Sequence, residues 1–211
     1  MSVPPSFLFN WLLPKLRSFL DSNPDIEITW ADHLTFPEDV RGIDCAIEYR
    51  VEPSPRLNSE PLLYDEIVAM AAPEYLSRYA IGSLEDVRGC RLIETERRLV
   101  SWDDVLVNYK WAKEPVRMRV ALSMHALEAA RLGYGIALAN RLNASQLIRT
   151  QEICIPFAID QQQLGKRPQY YISTPLNGNT SDATKQFISW LTAAVQANEW
   201  LSVSRTKGSS R

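Results

Sequence analysis

The sequence predicts an α/β fold with parallel sheets, because short apolar strand patterns alternate with amphipathic helix patterns along the chain. The composition supports a folded protein, since 45% of the residues are hydrophobic and 23% are charged, which are ordinary globular values. A chain of 211 residues can bury a substantial core and also has room for two compact lobes. These observations favour a globular protein over a disordered or membrane-embedded one.

The first quarter of the chain predicts one helix followed by two strands. Ser6 precedes apolar residues at helical spacing, so we expect it to cap an amphipathic helix. Pro14 should kink or split this helix, and Pro24 should end it. Alternating apolar residues over 26–30 predict a strand, and the apolar run 44–49 predicts a short buried strand.

The middle of the chain continues this alternation. The long apolar run 62–72 stops at Pro73 and predicts a strand that crosses out of a first lobe. Ser83 and the acids that follow it predict the capping box of a short helix that ends at Gly89. Strands are further predicted at 90–93 and 116–120, and helices at 101–109 and 123–132.

The last third predicts three more strands and a final helix. The strands are expected at 136–139, 153–157 and 170–174, and the helix from about 181 to 195. Residues 201–211 are polar and have no apolar period, so we expect a flexible tail there.

Charge and cysteine content narrow the possible functions. The formal net charge is -2, which is unfavourable for a surface that must neutralise several phosphates, so this chain by itself is not expected to bind DNA. Three cysteines far apart in the sequence suit reduced thiols in the cytoplasm. There is no signal-peptide pattern and no apolar stretch long enough to cross a bilayer. We therefore expect a cytoplasmic protein that does not associate with a membrane.

Several fragments, taken in their order and spacing, resemble the effector-binding (substrate-binding) domain of LysR-type transcriptional regulators. They are PSF at 5–7, WLLPKL at 11–16, NPDI at 23–26, GIDCAI at 42–47, APEYL at 72–76, LEAA at 127–130, GYGIAL at 133–138 and FISWL at 187–191. The tryptophan–leucine opening at 11–12, together with Trp102 and Trp111, is most similar to the glycine-cleavage-activator subgroup.

The resemblance implies two Rossmann-like lobes like those of type 2 periplasmic binding proteins. They would be joined by two crossover strands, at 68–73 and 171–175, with a small effector bound between the lobes. Lobe one would comprise residues 1–71 and 175–200, and lobe two residues 72–174. The family also implies a homodimer or homotetramer, and DNA contact only through a helix-turn-helix domain that this sequence does not contain.

Candidate ligand contacts come from the starts of helices, because exposed N–H groups and the helix dipole attract an anion there. Ser6 and Ser123 are the leading candidates, with Phe7 and Met124 beside them. The alternative for each serine is an ordinary helix cap, worth about 1 kcal/mol.

Further candidates follow the ends of predicted strands or cap other helices. Arg50, directly after Tyr49, could clamp a carboxylate, or it could be a solvated loop arginine. Ser101 and Trp102 could line the site, although such tryptophans more often anchor a core. Tyr171 lies on the returning crossover strand, where its hydroxyl could face the effector or pack elsewhere.

The same sequence offers no catalytic, metal or cofactor constellation. No serine lies in a G-x-S-x-G turn, and the Gly133-Tyr134-Gly135 run closes a helix instead of opening one. We therefore expect an effector-sensing domain that is not an enzyme. Two alternatives remain: a stand-alone solute-binding protein, and a truncated regulator that pairs with a full-length relative.

Overall fold

The computed structural model describes residues 1–32, 42–64, 66–96, 98–111, 114–176 and 180–197. The predicted tail at 201–211 and the end of the predicted first lobe at 198–200 lie outside these ranges. The strands are β1 (Ser2–Val3), β2 (Ala31–Asp32), β3 (Ala46–Arg50), β4 (Leu57–Tyr64), β5 (Ile67–Met70), β6 (Arg91–Thr95), β7 (Val116–Val120), β8 (Ile136–Asn140) and β9 (Gln169–Pro175). The α-helices are α1 (Pro5–Phe7), α2 (Leu13–Ser22), α3 (Pro73–Tyr79), α4 (Trp102–Val105), α5 (Ser123–Arg131), α6 (Arg141–Arg149) and α7 (Asp182–Gln196), with a π-helical turn at Leu8–Leu12 and a 3-10 helix at Leu84–Gly89.

The described strands form two mixed sheets, with the orders β2-β1-β3-β9-β4 and β5-β8-β6-β7. Strand β1 runs parallel to β2 and β3, and β6 runs parallel to β7 and β8. In contrast, β9 is antiparallel to β3 and β4, and β5 is antiparallel to β8. The prediction of parallel sheets is therefore correct only for part of each sheet, because alternating elements do not reveal the direction of a strand that returns from a distant part of the chain.

The chain divides into two compact units, each with one of the sheets. The first unit takes residues 1–3, 16–64 and the chain from 169 onward, and the second takes residues 4–15 and 65–168. The chain thus changes unit at 3–4, 15–16, 64–65 and 168–169, whereas the predicted lobes place passages only at 71–72 and 174–175. One apolar run at 62–72 suggested one strand, but β4 ends at Tyr64 and β5 begins at Ile67.

The first helical segment shows the effect of Pro14. Helix α1 is followed by the π-helical turn Leu8–Leu12 and then by α2, in which Pro14 is the second residue. Proline has no N–H to bond the carbonyl four residues earlier, and its ring crowds that carbonyl. The backbone widens to a single π-helical turn there, so the helix is distorted and not broken. The residue before α1 is Pro4, so Ser6 lies inside the helix and is not its cap.

Two predicted strands are absent from the described backbone. Residues 26–30 form no strand, and only Ala31–Asp32 pair with β1. Residues 153–157 contribute a single bridge, between Cys154 and Ala71. In both places an alternating or apolar pattern was present, but no neighbouring strand extends far enough to form a ladder.

The predicted cap at Ser101 is observed, but α4 ends at Val105 and not at the predicted residue 109. Ser101 caps α4, with its Oγ accepting from the Asp104 N–H at 3.3 Å. Ser181 accepts from the Thr184 N–H at the start of α7 at 3.2 Å. Helices α3 and α6 were not predicted from the sequence, because they begin at Pro73 and Arg141, immediately after apolar runs that read as strands.

The sheet of the second unit is covered on both faces. One face packs in a cluster that includes Leu92, Trp102 and Ile136. The other packs against α5 in a cluster that includes Ile93 and Ala126. Gly135 permits the approach of β8 to β6, because a Cβ at this position would lie 2.4 Å from the Arg91 carbonyl oxygen.

Strand β4 is the terminal strand of the described part of the five-stranded sheet. Its pairing with β9 shifts register between Pro61 and Leu63. The sheet is therefore irregular near the end of this strand.

Candidate functional site

Three parallel strands of the second unit end at one edge of its sheet. Strand β6 ends at Thr95, β7 at Val120 and β8 at Asn140. Helix α5 begins at Ser123, shortly after β7, and α6 begins directly after β8. The carboxyl edge of parallel strands is where open α/β sheets bind ligands, because loops and helix N-termini meet there.

Arg98 links these strand ends. Its Nη1 donates to Ser123 Oγ at 3.4 Å, and its Nη2 donates to Asn140 Oδ1 at 3.3 Å. Both distances exceed the usual range for N–H to O hydrogen bonds, so the guanidinium is held loosely. We call Thr95, Arg98, Ser123 and Asn140 the Arg98 cluster.

Three polar atoms of the Arg98 cluster are buried and have no hydrogen-bond partner within the described residues. They are Arg98 Nε, Asn140 Nδ2 and Thr95 Oγ1. Asn140 and Thr95 are only 4% and 7% exposed. A buried polar atom without a partner costs about 1–3 kcal/mol, so these atoms are available to hydrogen-bond a water molecule or a ligand.

The electrostatics of the Arg98 cluster favour an anion. Helix α5 has no acidic residue in its first turn and no side-chain hydrogen bond at its N-cap, Leu122. Its positive dipole end is therefore not neutralised by its own first turn, and the Arg98 guanidinium adds a full positive charge beside it. A carboxylate or another oxyanion bound here would be attracted by both the helix dipole and the guanidinium charge.

Ser6 and Ser123 belong to the same unit, and their helices touch. Helix α1 packs against α5, and the π-helical turn packs against α6. Ser6 is half-buried, whereas Phe7 is 0% exposed, with its ring centroid 5.1 Å from that of Trp11. Phe7 is therefore a core residue.

The other predicted residues of the second unit have different roles. The Ser101 hydroxyl is engaged with the Asp104 carboxylate at 2.8 Å. Trp102 is 0% exposed and donates its indole N–H to the Ile93 carbonyl at 3.1 Å. Met124 is half-buried in the first turn of α5. Of these three, only Met124 adjoins the Arg98 cluster.

The structure places Tyr49, Arg50 and Tyr171 together in the first unit, on the paired strands β3 and β9. Arg50 Nη1 lies 3.5 Å from the buried Glu48 carboxylate, and its Nε donates to a backbone carbonyl. The Tyr171 hydroxyl bonds to Gln169 and to a backbone carbonyl. The ring centroid of Tyr49 lies 4.7 Å from that of Tyr170, with the two ring planes tilted by 43°.

Sequence reasoning missed three members of the Arg98 cluster, namely Thr95, Arg98 and Asn140. Asn140 is the polar last residue of an apolar strand, a signal that the sequence did contain, whereas Thr95 ends a strand of mixed polarity. Arg98 carried no comparable signal, because it lies in a segment with no regular pattern, and only the fold brings it to Ser123 and Asn140.

A surface cavity of about 330 Å³ lies elsewhere in the second unit, lined by Asp103, Leu106, Tyr109, Glu114 and Arg117. None of the predicted ligand contacts lines it. Arg117 is already paired with Asp103 and, at 3.0 Å, with Glu94, whose carboxyl pKa is raised by burial. The positive charge of Arg117 in this cavity is therefore already matched by two carboxylates.

Among the described residues, no group of three or more His, Cys, Asp or Glu side chains is arranged to hold a metal ion. A search of the same residues for helices both long and apolar enough to cross a membrane finds none.

The two compact units, each built on one mixed sheet with helices, define the class of two-unit α/β proteins. Residues 1–196 match the model of the LysR substrate binding domain. The chain therefore belongs to the LysR substrate-binding domain family, as its sequence fragments suggested.

Curated relatives are transcriptional regulators. The chain is 28% identical over 207 residues to the glycine cleavage system transcriptional activator homolog of Haemophilus influenzae, covering 94% of this chain and 66% of that protein. It is 25% identical over 196 residues to the HTH-type transcriptional regulator PerR of Escherichia coli, covering 90% of this chain and 64% of that protein. The chain thus spans somewhat less than two thirds of the length of these relatives.

Solved structures share the fold. The effector domain of the transcriptional regulator AmpR of Pseudomonas aeruginosa superposes with a TM-score of 0.77 at 22% identity, covering 96% of this chain and 97% of that one. The regulatory domain of CrgA from Neisseria meningitidis gives a TM-score of 0.75 at 15% identity, covering 92% and 96% of the two chains. The chain has the type 2 periplasmic-binding-protein-like fold of these LysR effector-binding domains.

Proposed function

We propose that this chain is the effector-sensing domain of a LysR-type transcriptional regulator, and that it binds a small anionic molecule to control transcription. The observation that supports the anionic ligand is the Arg98 cluster, in which a loosely held guanidinium lies beside the start of α5. A guanidinium and a helix N-terminus attract an anion together, and a carboxylate can accept hydrogen bonds from both.

Ser123, Met124 and Ser6 are the predicted contacts that we retain for this site, since α1 packs against α5 in the same unit. Phe7, Ser101 and Trp102 are assigned structural roles, because their side chains are buried or already engaged. Tyr49, Arg50 and Tyr171 remain predictions.

The effector would act by binding one conformational state more tightly than another, which shifts the population between them. The names of some relatives describe them as HTH-type regulators. We expect an intact regulator containing this domain to contact DNA through a helix-turn-helix domain and to assemble as a homodimer or homotetramer. Such a protein would work in the cytoplasm, and this proposal gives the domain no catalytic role.

A thermal-shift screen of amino acids, dicarboxylates, aromatic acids, cell-wall fragments, and neutral and cationic compounds tests this function. A compound at 100 times its Kd should stabilise the fold by about 2.7 kcal/mol. We then expect Ser6→Ala combined with Ser123→Ala to raise the Kd of the stabilising compound roughly tenfold, as measured by calorimetry, because two hydroxyl contacts to the anion are lost.

The matched control is Ser77→Ala, which removes an exposed serine of α3 and should leave the Kd unchanged. A screen in which nothing stabilises the domain contradicts the sensing function. A hit whose Kd is the same in the double variant contradicts the two serine contacts.

A further inference from the structure

The chemistry of arginine constrains the groups around it. A guanidinium donates through all of its N–H groups and accepts nothing. The bond from Arg98 Nη2 at 3.3 Å therefore fixes the Asn140 carboxamide with its oxygen toward the arginine. By the same reasoning, Ser123 Oγ is the acceptor for Nη1 at 3.4 Å. The Asn140 amide hydrogens and the Ser123 hydroxyl hydrogen are consequently directed to other partners.

The unpaired atoms of the cluster are thus donors, or atoms able to donate. Arg98 Nε and Asn140 Nδ2 can only donate, and Thr95 Oγ1 can donate or accept. Thr95 lies two residues from Ile93 on β6, so its side chain shares the face that packs against α5.

The Arg98 cluster contains no carboxylate of its own. The two nearby carboxylates are already paired. Glu94, next to Thr95 on β6, accepts from Arg117 Nη1 at 3.0 Å, and Glu66, whose backbone carbonyl accepts from the N–H at the start of α6, accepts with its carboxylate from Arg141 Nη1 at 2.8 Å. A ligand ammonium group placed among these donors would meet N–H groups and a like charge, and it would find no acceptor strong enough to offset its desolvation.

We propose that the Arg98 cluster is a subsite for groups that only accept hydrogen bonds, and that it selects a carboxylate with an adjoining keto oxygen over the corresponding amino acid. This inference rests on the proposed sensing function and specifies the ligand class. The ligand carboxylate accepts hydrogen bonds from Arg98 Nε–H and from the Ser123 hydroxyl, and the keto oxygen accepts one from the Asn140 amide N–H. Replacing that oxygen by an ammonium group sets donor against donor, which is a strong basis for discrimination.

Calorimetric titration of the whole chain with matched acids tests the selectivity. One set is pyruvate, alanine and propionate, and a second is 2-oxoglutarate, glutamate and glutarate. We expect the 2-oxo acid to bind about tenfold or more tightly than its amino acid, since an unpaired buried polar group costs that much affinity. An amino acid that matches or exceeds its 2-oxo counterpart overturns the proposal, as does a lack of binding by both 2-oxo acids.

Asn140→Asp provides the sharper test, because it keeps the oxygen that accepts from Arg98 and replaces the two amide donors by an acceptor. We expect the affinity for the 2-oxo acid to fall about tenfold, and the ratio of 2-oxo acid affinity to amino acid affinity to fall with it. An unchanged ratio overturns the proposal. Arg91→Gln is the control, because Arg91 begins the neighbouring strand β6, at the edge of the sheet opposite to the one where Thr95 and Asn140 lie, and it should change neither affinity.

If Asn140→Asp does not fold by circular dichroism, Arg98→Gln replaces it, and loss of 2-oxo acid binding is expected. The two proposals can fail separately. If the only compounds that bind are neutral or cationic and they bind equally to the parent chain and to Arg98→Gln, the subsite and the anionic ligand are overturned, while effector sensing as such stands. A domain that no compound stabilises contradicts the sensing function itself.

Discussion

At the scale of single residues, Gly135 controls how closely β8 can approach β6. Its backbone faces the Arg91 carbonyl so closely that a Cβ would lie 2.4 Å from the oxygen. Side chains essentially never come this close to a backbone oxygen, so any residue larger than glycine must push the two strands apart. The same strands carry Thr95 and Asn140 at their other ends.

Gly135→Ala should therefore lower the free energy of unfolding by about 1–3 kcal/mol, the usual cost of overpacking. Urea denaturation followed by circular dichroism measures this loss. Gly82→Ala is the control, because nothing lies within 4 Å of its added Cβ, and it should be close to neutral. Equal midpoints for the two variants would contradict the close approach of β8 and β6.

The candidate site was only partly predictable at this scale. Ser123 and Met124 were found because an apolar helix pattern begins beside them, and Ser6 because it adjoins another. Trp102 was weighed as a ligand contact because tryptophan suits both a binding surface and a core, and only its burial in the structure separates these roles. Arg98 could not be found, because its partners lie 25 and 42 residues away in the sequence.

At the scale of elements, the 3-10 helix Leu84–Gly89 depends on one exposed acid. Asp86 accepts hydrogen bonds from the N–H groups of Gly82 and Ser83, at 3.0 and 2.8 Å, and from the Ser83 hydroxyl. The Gly82 N–H bond and then the Ser83 bonds lower the pKa of the Asp86 carboxyl below its ordinary value of 3.8. The ionised Asp86 carboxylate is therefore more stable in the folded protein than in the unfolded chain.

Asp86→Asn should lower the Tm at neutral pH, because it removes the charge that these donors stabilise. A carboxyl with a depressed folded pKa contributes stability above its unfolded pKa and loses it as pH falls through the folded value. The Tm difference between parent and variant should thus shrink as the pH drops below about 3.8. Glu27→Gln, at an exposed residue with no described role, is the control for loss of a surface charge. A Tm difference that stays constant with pH would count against the capping role.

Elements with local signals were the ones that the sequence predicted well. Strand β7 was predicted with its observed bounds because it alternates cleanly, and the caps Ser101 and Ser181 mark the helices that follow them. Helix α6 was missed because nothing in its first residues distinguishes it from a loop after β8. The direction of β9 depends on pairing with β3, more than a hundred residues earlier, and no local pattern encodes it.

At the scale of the whole molecule, net charge limits what the chain can bind. With a formal net charge of -2, it lacks the excess of cations that displaces counterions from a nucleic acid. The family assignment is consistent with this, since it rests on the substrate-binding domain.

We expect the 211-residue chain alone to bind a fluorescently labelled DNA duplex no more tightly than about 0.1 mM at physiological salt, the weak limit of non-specific binding. Fluorescence anisotropy at low and moderate salt measures this. Micromolar binding that weakens steeply with salt would reveal a basic surface that the net charge conceals.

Pro61 has a consequence for the protein at high concentration. A terminal strand ordinarily exposes a row of backbone donors and acceptors on which another chain can assemble, and this is how amyloid growth begins. Proline contributes no N–H to such a row, and the register shift beside it makes the pairing of β4 irregular, so β4 is a poor template for recruitment of a second polypeptide. A substitution such as Pro61→Val would restore the missing donor and expose the protein to fibril formation.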